Sequence, residues 1–170
     1  MRFNTVMRFD TAGRHILAWI MTSMLLLMPI SVSADQHDNL IMPDPSLQPA
    51  DVVTIQMMAL QNNDNISDDL GLRQTWVFAH PDNKAVTGPY DRFAKMLRNP
   101  TYLPMLNHRN FEIIDQRQEP GQVKFLIEME TPDNLLYRFV WVVKKVEDGD
   151  DIGNWMTSAV SAPMPAGEGS

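Results

Sequence analysis

The hydrophobic period of this chain changes once, near His108, and that change limits the fold more than any other feature. Upstream, apolar residues recur at helical spacing. Val52, Val53, Met57 and Leu60 share one face with Gln56, and Ile55, Met58 and Ala59 widen the stripe. Pro49 suits the first turn of that helix, Asp51 complements its positive end, and Asn62 to Asn65 end it. The pattern predicts a second helix from about Asp69 to Ala79, with Leu72, Trp76 and Ala79 on one face and Pro81 as its stop. A third is expected from Thr87, Gly88 and Pro89, with Thr87 as cap and Phe93, Met96 and Leu97 facing inward. A short turn capped by Asn99 follows, carrying Tyr102, Leu103 and Leu106.

Downstream the period is two, as in half-buried strands. Phe111 and Ile113 flank Glu112; Val123, Phe125, Ile127 and Met129 alternate with Lys124, Leu126, Glu128 and Glu130. Leu135 to Val146 is apolar on both faces, which marks a central strand. Tyr137, Phe139, Trp141 and Val143 lie on one side of it, and Leu136, Val140 and Val142 on the other. Turns are read at Glu119 to Gln122, Pro132 to Asn134 and Glu147 to Asp151, and the last strand at Gly153 to Val160. Helices first and a four-stranded antiparallel meander second make an α+β domain, expected over residues 49–162.

Arg2, Arg8 and Arg14 precede an apolar run from Ile16 to Ile30, and Ser31-Val32-Ser33-Ala34 then places small residues where a signal peptidase cuts. The run falls short of the roughly 20 residues that span a bilayer. Residues 1–34 are therefore read as a cleaved signal peptide, with no stable membrane anchor after cleavage and a periplasmic or secreted destination. Met1 to Asn4 is nearly repeated at Met7 to Asp10, so Met7 is an alternative start. Residues 35–48 read as a flexible lead-in and 163–170, rich in Pro and Gly, as a disordered tail.

The first 34 residues hold three arginines and one aspartate; residues 35–170 carry 11 basic and 20 acidic side chains, a net charge of −9. Such a surface repels phosphate backbones, so nucleic acid is not an expected partner. The chain has no cysteine, which removes disulfides, thiolate metal sites and a cysteine nucleophile. No HxH, HExxH or EF-hand spacing occurs, and no Gly-rich phosphate loop or GxSxG elbow, so neither a metal nor a cofactor is expected.

The run Thr87-Gly88-Pro89-Tyr90-Asp91-Arg92-Phe93-Ala94-Lys95-Met96-Leu97-Arg98-Asn99-Pro100-Thr101-Tyr102-Leu103-Pro104-Met105-Leu106-Asn107-His108-Arg109 is the most distinctive in the chain. With Gly153-Asn154-Trp155-Met156-Thr157, the Gln56-x-x-Ala59-Leu60 helix and Phe78-Ala79-x-Pro81, it resembles the bacterial and plant family called domain of unknown function 4864 over about residues 46–161. Trp76 departs from the smaller residue expected there. The element order also resembles the NTF2-like cone, in which a curved sheet wraps the long first helix and leaves a cavity. The family brings no established activity, so the resemblance implies a fold and leaves the chemistry open.

Three functions are compatible with these patterns. The first is an exported module binding a small anionic or polar ligand in an NTF2-like cavity. Arg92, Tyr102, Asn107 and His108 are expected to converge at its entrance, and Trp76, Tyr102, Trp141 and Trp155 to form its wall, because Trp and Tyr join an apolar body to a polar tip. Met57, Met58, Met96, Met105 and Met156 are candidate adaptable lining. The second is a cavity enzyme of isomerase, dehydratase or hydrolase type, with His108 as general base oriented by a carboxylate. The NTF2-like resemblance, which implies a cavity Asp–His pair, makes Asp91, Glu112, Asp115, Glu128 and Glu130 the candidates, although Glu112, Glu128 and Glu130 alternate with apolar residues and are read as facing water. His80 is read as helping to end its helix. The third is a module that forms a homodimer through the outward sheet positions Leu126, Leu136, Val140 and Val142.

Overall fold

The computed structural model describes residues 40–63 and 69–169; the expected signal peptide and the alternative start at Met7 lie outside them. Helix α1 spans Pro49–Gln61. Its first turn is closed by the Gln48 backbone N–H, which donates to the Asp51 carboxylate at 2.8 Å. Val52, Val53, Gln56, Met57 and Leu60 form its buried face, whereas Met58, expected on the inner stripe, is 54% exposed. Helix α2 spans Leu70–Val77 and crosses α1 closely. Gly71 makes that approach possible: a Cβ there would stand 2.2 Å from the Ala59 carbonyl oxygen. No side chain fits such a gap without moving the backbones apart.

Pro81 was expected to end a helix, and it does, but it also begins another, α3, over Pro81–Thr87. Proline at the first helical position lacks only an amide that has no partner there, and its fixed φ suits the helix. His80 caps α3, its Nδ1 accepting the Asp82 backbone N–H at 3.1 Å. Thr87, expected to cap the next helix, instead ends α3, its hydroxyl donating to the Asn83 carbonyl at 2.8 Å. Helix α4 spans Tyr90–Leu97 and buries Phe93, Ala94 and Leu97. Asn99 then makes its expected turn, accepting the Thr101 N–H, and a 3-10 turn follows at Leu103–Met105.

The antiparallel sheet runs β1 (Asn110–Glu119), β2 (Gln122–Glu130), β3 (Leu135–Lys145) and β4 (Trp155–Val160) in that order. Its inner face aligns Ile113, Ile127 and Phe139 in one row, and Phe125 with Trp141 in the next. Register shifts at Ile113/Asp115 and Val142/Val143 are bulges, and bulges curve a sheet. Helix α1 lies on β3 and β4, and α3 on β4. Phe78 and Thr157 bond through their backbones at 2.8 Å, as do His80 and Thr157, so the α2–α3 link is stitched along the edge of β4.

Both expected loose ends are tied. In the lead-in, the Gln74 side chain holds the backbone of Ile41 by two bonds, at 2.8 and 2.7 Å. In the tail, Met164–Glu168 forms β5, which pairs with Leu135 to Arg138 of β3. β4 and β5 thus share one edge of β3, interrupted at Ser161, whose hydroxyl accepts the Val140 N–H at 2.9 Å. An edge strand rich in Pro and Gly is tolerated because only one side needs its amides.

Candidate functional site

Between α1, α4 and the inner face of β3 and β4 lies a cavity of about 110 Å³. Its walls are mainly apolar: Leu60, Ala79, Phe93, Met96, Leu97, Met105 and Val160. Polar groups gather at Gln56, Thr75 and Thr157, with the Trp141 indole among them. The Thr157 hydroxyl donates to Gln56 Oε1 at 2.5 Å, and the Trp141 indole N–H donates to Thr157 Oγ1 at 2.9 Å and to Gln56 Oε1 at 3.1 Å. Gln56 Nε2 donates to the Thr75 carbonyl at 2.9 Å, satisfying an acceptor in the last turn of α2 that has no helical partner of its own. Asn83 Nδ2 reaches the Thr157 carbonyl at 3.1 Å and so ties α3 to the same strand. Because these groups bond one another, the cluster is stable without a guest and still offers spare lone pairs and one amide hydrogen.

No carboxylate, histidine, lysine or arginine lines this cavity. Among the described residues, no group of three or more His, Asp or Glu is placed to hold a metal ion, and no helix is long and apolar enough to cross a membrane.

Of the residues expected at a site, Tyr102 and Trp141 line the cavity. The others do not. His108 is 2% exposed, and its Nδ1 donates to the Met105 carbonyl at 2.9 Å, with Phe111 edge-on at 5.7 Å. That bond leaves Nε2 as the unprotonated nitrogen, buried without a hydrogen-bond partner. Burial pushes its pKa below the ordinary histidine value, against the smaller effect of the Met105 carbonyl. A backbone carbonyl therefore orients this ring, where the enzyme reading requires a carboxylate. Asn107 adopts the left-handed conformation, φ 55°, and its backbone N–H bonds the Leu60 carbonyl at the end of α1. It is an exposed turn residue, and its left-handed backbone suits asparagine.

Trp76 joins α2 to α4, with Phe93 at 5.1 Å and Tyr90 at 6.2 Å, and lies under the Lys84 ammonium. Trp155 stands at the start of β4 beneath Lys145. Arg92 clamps the α3–α4 link, donating to the carbonyls of Val86 at 2.7 Å and Gly88 at 3.3 Å. Met57 and Met156 are wholly buried outside the cavity wall; Met96 and Met105 belong to it. On the outer sheet face, Glu128 pairs with Arg138 and Glu130 with Arg109, while Leu126, Leu136, Val140 and Val142 are half-buried.

Sequence reasoning missed Gln56, Thr75, Asn83, Thr87 and Thr157 as lining residues. One signal was present: Gln56 interrupts the apolar stripe of α1. No protein-family model matches the chain, and no curated protein or solved structure is significantly similar to it.

Proposed function

We propose that this chain is an exported, periplasmic or secreted module with an NTF2-like cavity that binds a small ligand. What supports the reading is a mainly apolar, partly enclosed cavity with a preformed hydrogen-bonding cluster and no acid–base residue other than Tyr102 in its wall. Proton-transfer catalysis needs a positioned base within hydrogen-bond reach of the reacting atom; binding does not. The volume sets the guest. Sites for drug-sized molecules hold roughly 300–1,000 Å³, whereas a dry cavity of about 150 Å³ takes benzene. A cavity of about 110 Å³ takes a small apolar group with one hydrogen-bonding atom, which settles beside Gln56 and Thr157.

The test is a nuclear magnetic resonance titration with hexan-1-ol. The indole N–H resonance of Trp141 and the amide signals of Gln56, Thr75 and Thr157 are expected to shift together and to saturate. Val160→Phe, which fills the cavity from β4, is expected to keep the folded spectrum and lose the response. A native protein whose signals stay still at millimolar alcohol, or a response untouched by Val160→Phe, overturns the proposal.

A further inference from the structure

Met96 and Tyr102 line the partly enclosed cavity, and the same two side chains line a second, more open hollow of about 390 Å³ on the outside of α4. They are therefore the partition between an apolar interior and the surface. The other residues of the outer hollow are Arg92, Lys95, Asn99 and Thr101, two cations and no carboxylate, in a chain of net charge −7. Among the described residues Lys95 has no ion-pair partner, although Asp91 lies one turn earlier on α4. Arg92 uses two of its five donors on carbonyls and keeps others free.

We infer that the ligand is a short-chain amphiphilic anion, its apolar end in the cavity and its carboxylate in the outer hollow on Lys95 and Arg92; this rests on the cavity being a ligand site. A carboxylate does not enter the cavity, because an ion buried without a countercharge meets a large desolvation penalty. Cations in the outer hollow remove that obstacle by holding the charge near water. Met96 suits the partition, since an unbranched thioether moves among rotamers at little cost. Tyr102 offers an apolar ring to the chain and a hydroxyl to the head.

The experiment compares hexanoate, hexan-1-ol and acetate by calorimetric titration at low salt, on the native chain and on Lys95→Glu. Lys95 is exposed and has no ion-pair partner among the described residues, so its replacement is expected to leave the fold intact, which the circular dichroism spectrum checks. Hexanoate is expected to bind about tenfold more tightly than hexanol, the sum of two modest exposed charge interactions, and acetate to show no saturable binding. In Lys95→Glu, hexanoate affinity falls about fivefold or more while hexanol affinity is unchanged. Equal affinity for hexanoate and hexanol, or an equal loss of both in the variant, overturns the anionic assignment and leaves the cavity reading standing. Failure of both to bind the native chain overturns the two together.

Discussion

Gln56 occupies a position where the helical stripe of α1 otherwise presents apolar side chains, and it is 1% exposed. A buried amide without partners costs several kcal/mol in an apolar surrounding, so its partners decide whether it is tolerated. Here its oxygen accepts from Thr157 and Trp141, and its nitrogen donates to the Thr75 carbonyl. Gln56→Leu is similar in size and more apolar, yet it leaves the Thr157 hydroxyl proton without its acceptor and the Thr75 carbonyl without its donor. It is expected to lower unfolding free energy by about 1–3 kcal/mol, read from the urea midpoint at constant slope. An unchanged midpoint would show that the cluster contributes nothing to stability. Asn107 and His108 do not line the cavity. A polar pair at a strand entry looks like a site in sequence, but one is a left-handed turn and the other a core ring held by Met105.

At the scale of elements, β3 is the strand on which the sheet depends, paired with β2 along one side and with β4 and then β5 along the other. The tail that forms β5 has the composition of a frayed end, and composition is a poor guide where a neighbouring strand offers unpaired amides. Deleting residues 164–170 is expected to raise hydrogen-exchange rates across Leu135 to Arg138 and to leave protection at Trp141 to Lys145 unchanged. A truncated protein with native protection at Leu135 to Arg138 would mean that β5 does not pair in solution. The helices teach a related lesson. Pro81 was legible as a helix end, but not as a helix start, because its ring satisfies both roles and only His80, as the cap, distinguishes them.

For the whole molecule, the buried histidines set the pH response. Burial lowers the pKa of both His80 and His108 below the ordinary value of 6.5. At His80, Asp82 opposes that shift and Lys144 adds to it. The unfolded chain therefore binds protons that the folded chain refuses, and stability rises with pH through this range. The histidine contribution is fully present above about pH 6.5 and is lost as pH falls towards the lowered folded-state pKa values. Urea unfolding from pH 8 to pH 5 is expected to give a plateau above pH 7 and a decline below 6.5. His108→Leu lowers the plateau but makes the decline shallower; a decline of unchanged slope would remove His108 from this account.

The change of period at His108, the inward rows of β2 and β3, and the helices α1 and α4 were all written in the sequence, because each depends on side-chain spacing along one backbone. The α+β class followed from their order. The helix α3, the pairing of β5 and the cavity with its Gln56–Thr157–Trp141 cluster were not. A cavity is the space left where α1, α4 and the sheet fail to meet, so no single segment encodes it. Gln56 and Thr157 are 101 positions apart and meet only because α1 is laid on β4. Which side of Met96 and Tyr102 is apolar and which carries Arg92 and Lys95 is likewise settled by how α4 packs, since one short helix presents residues to both.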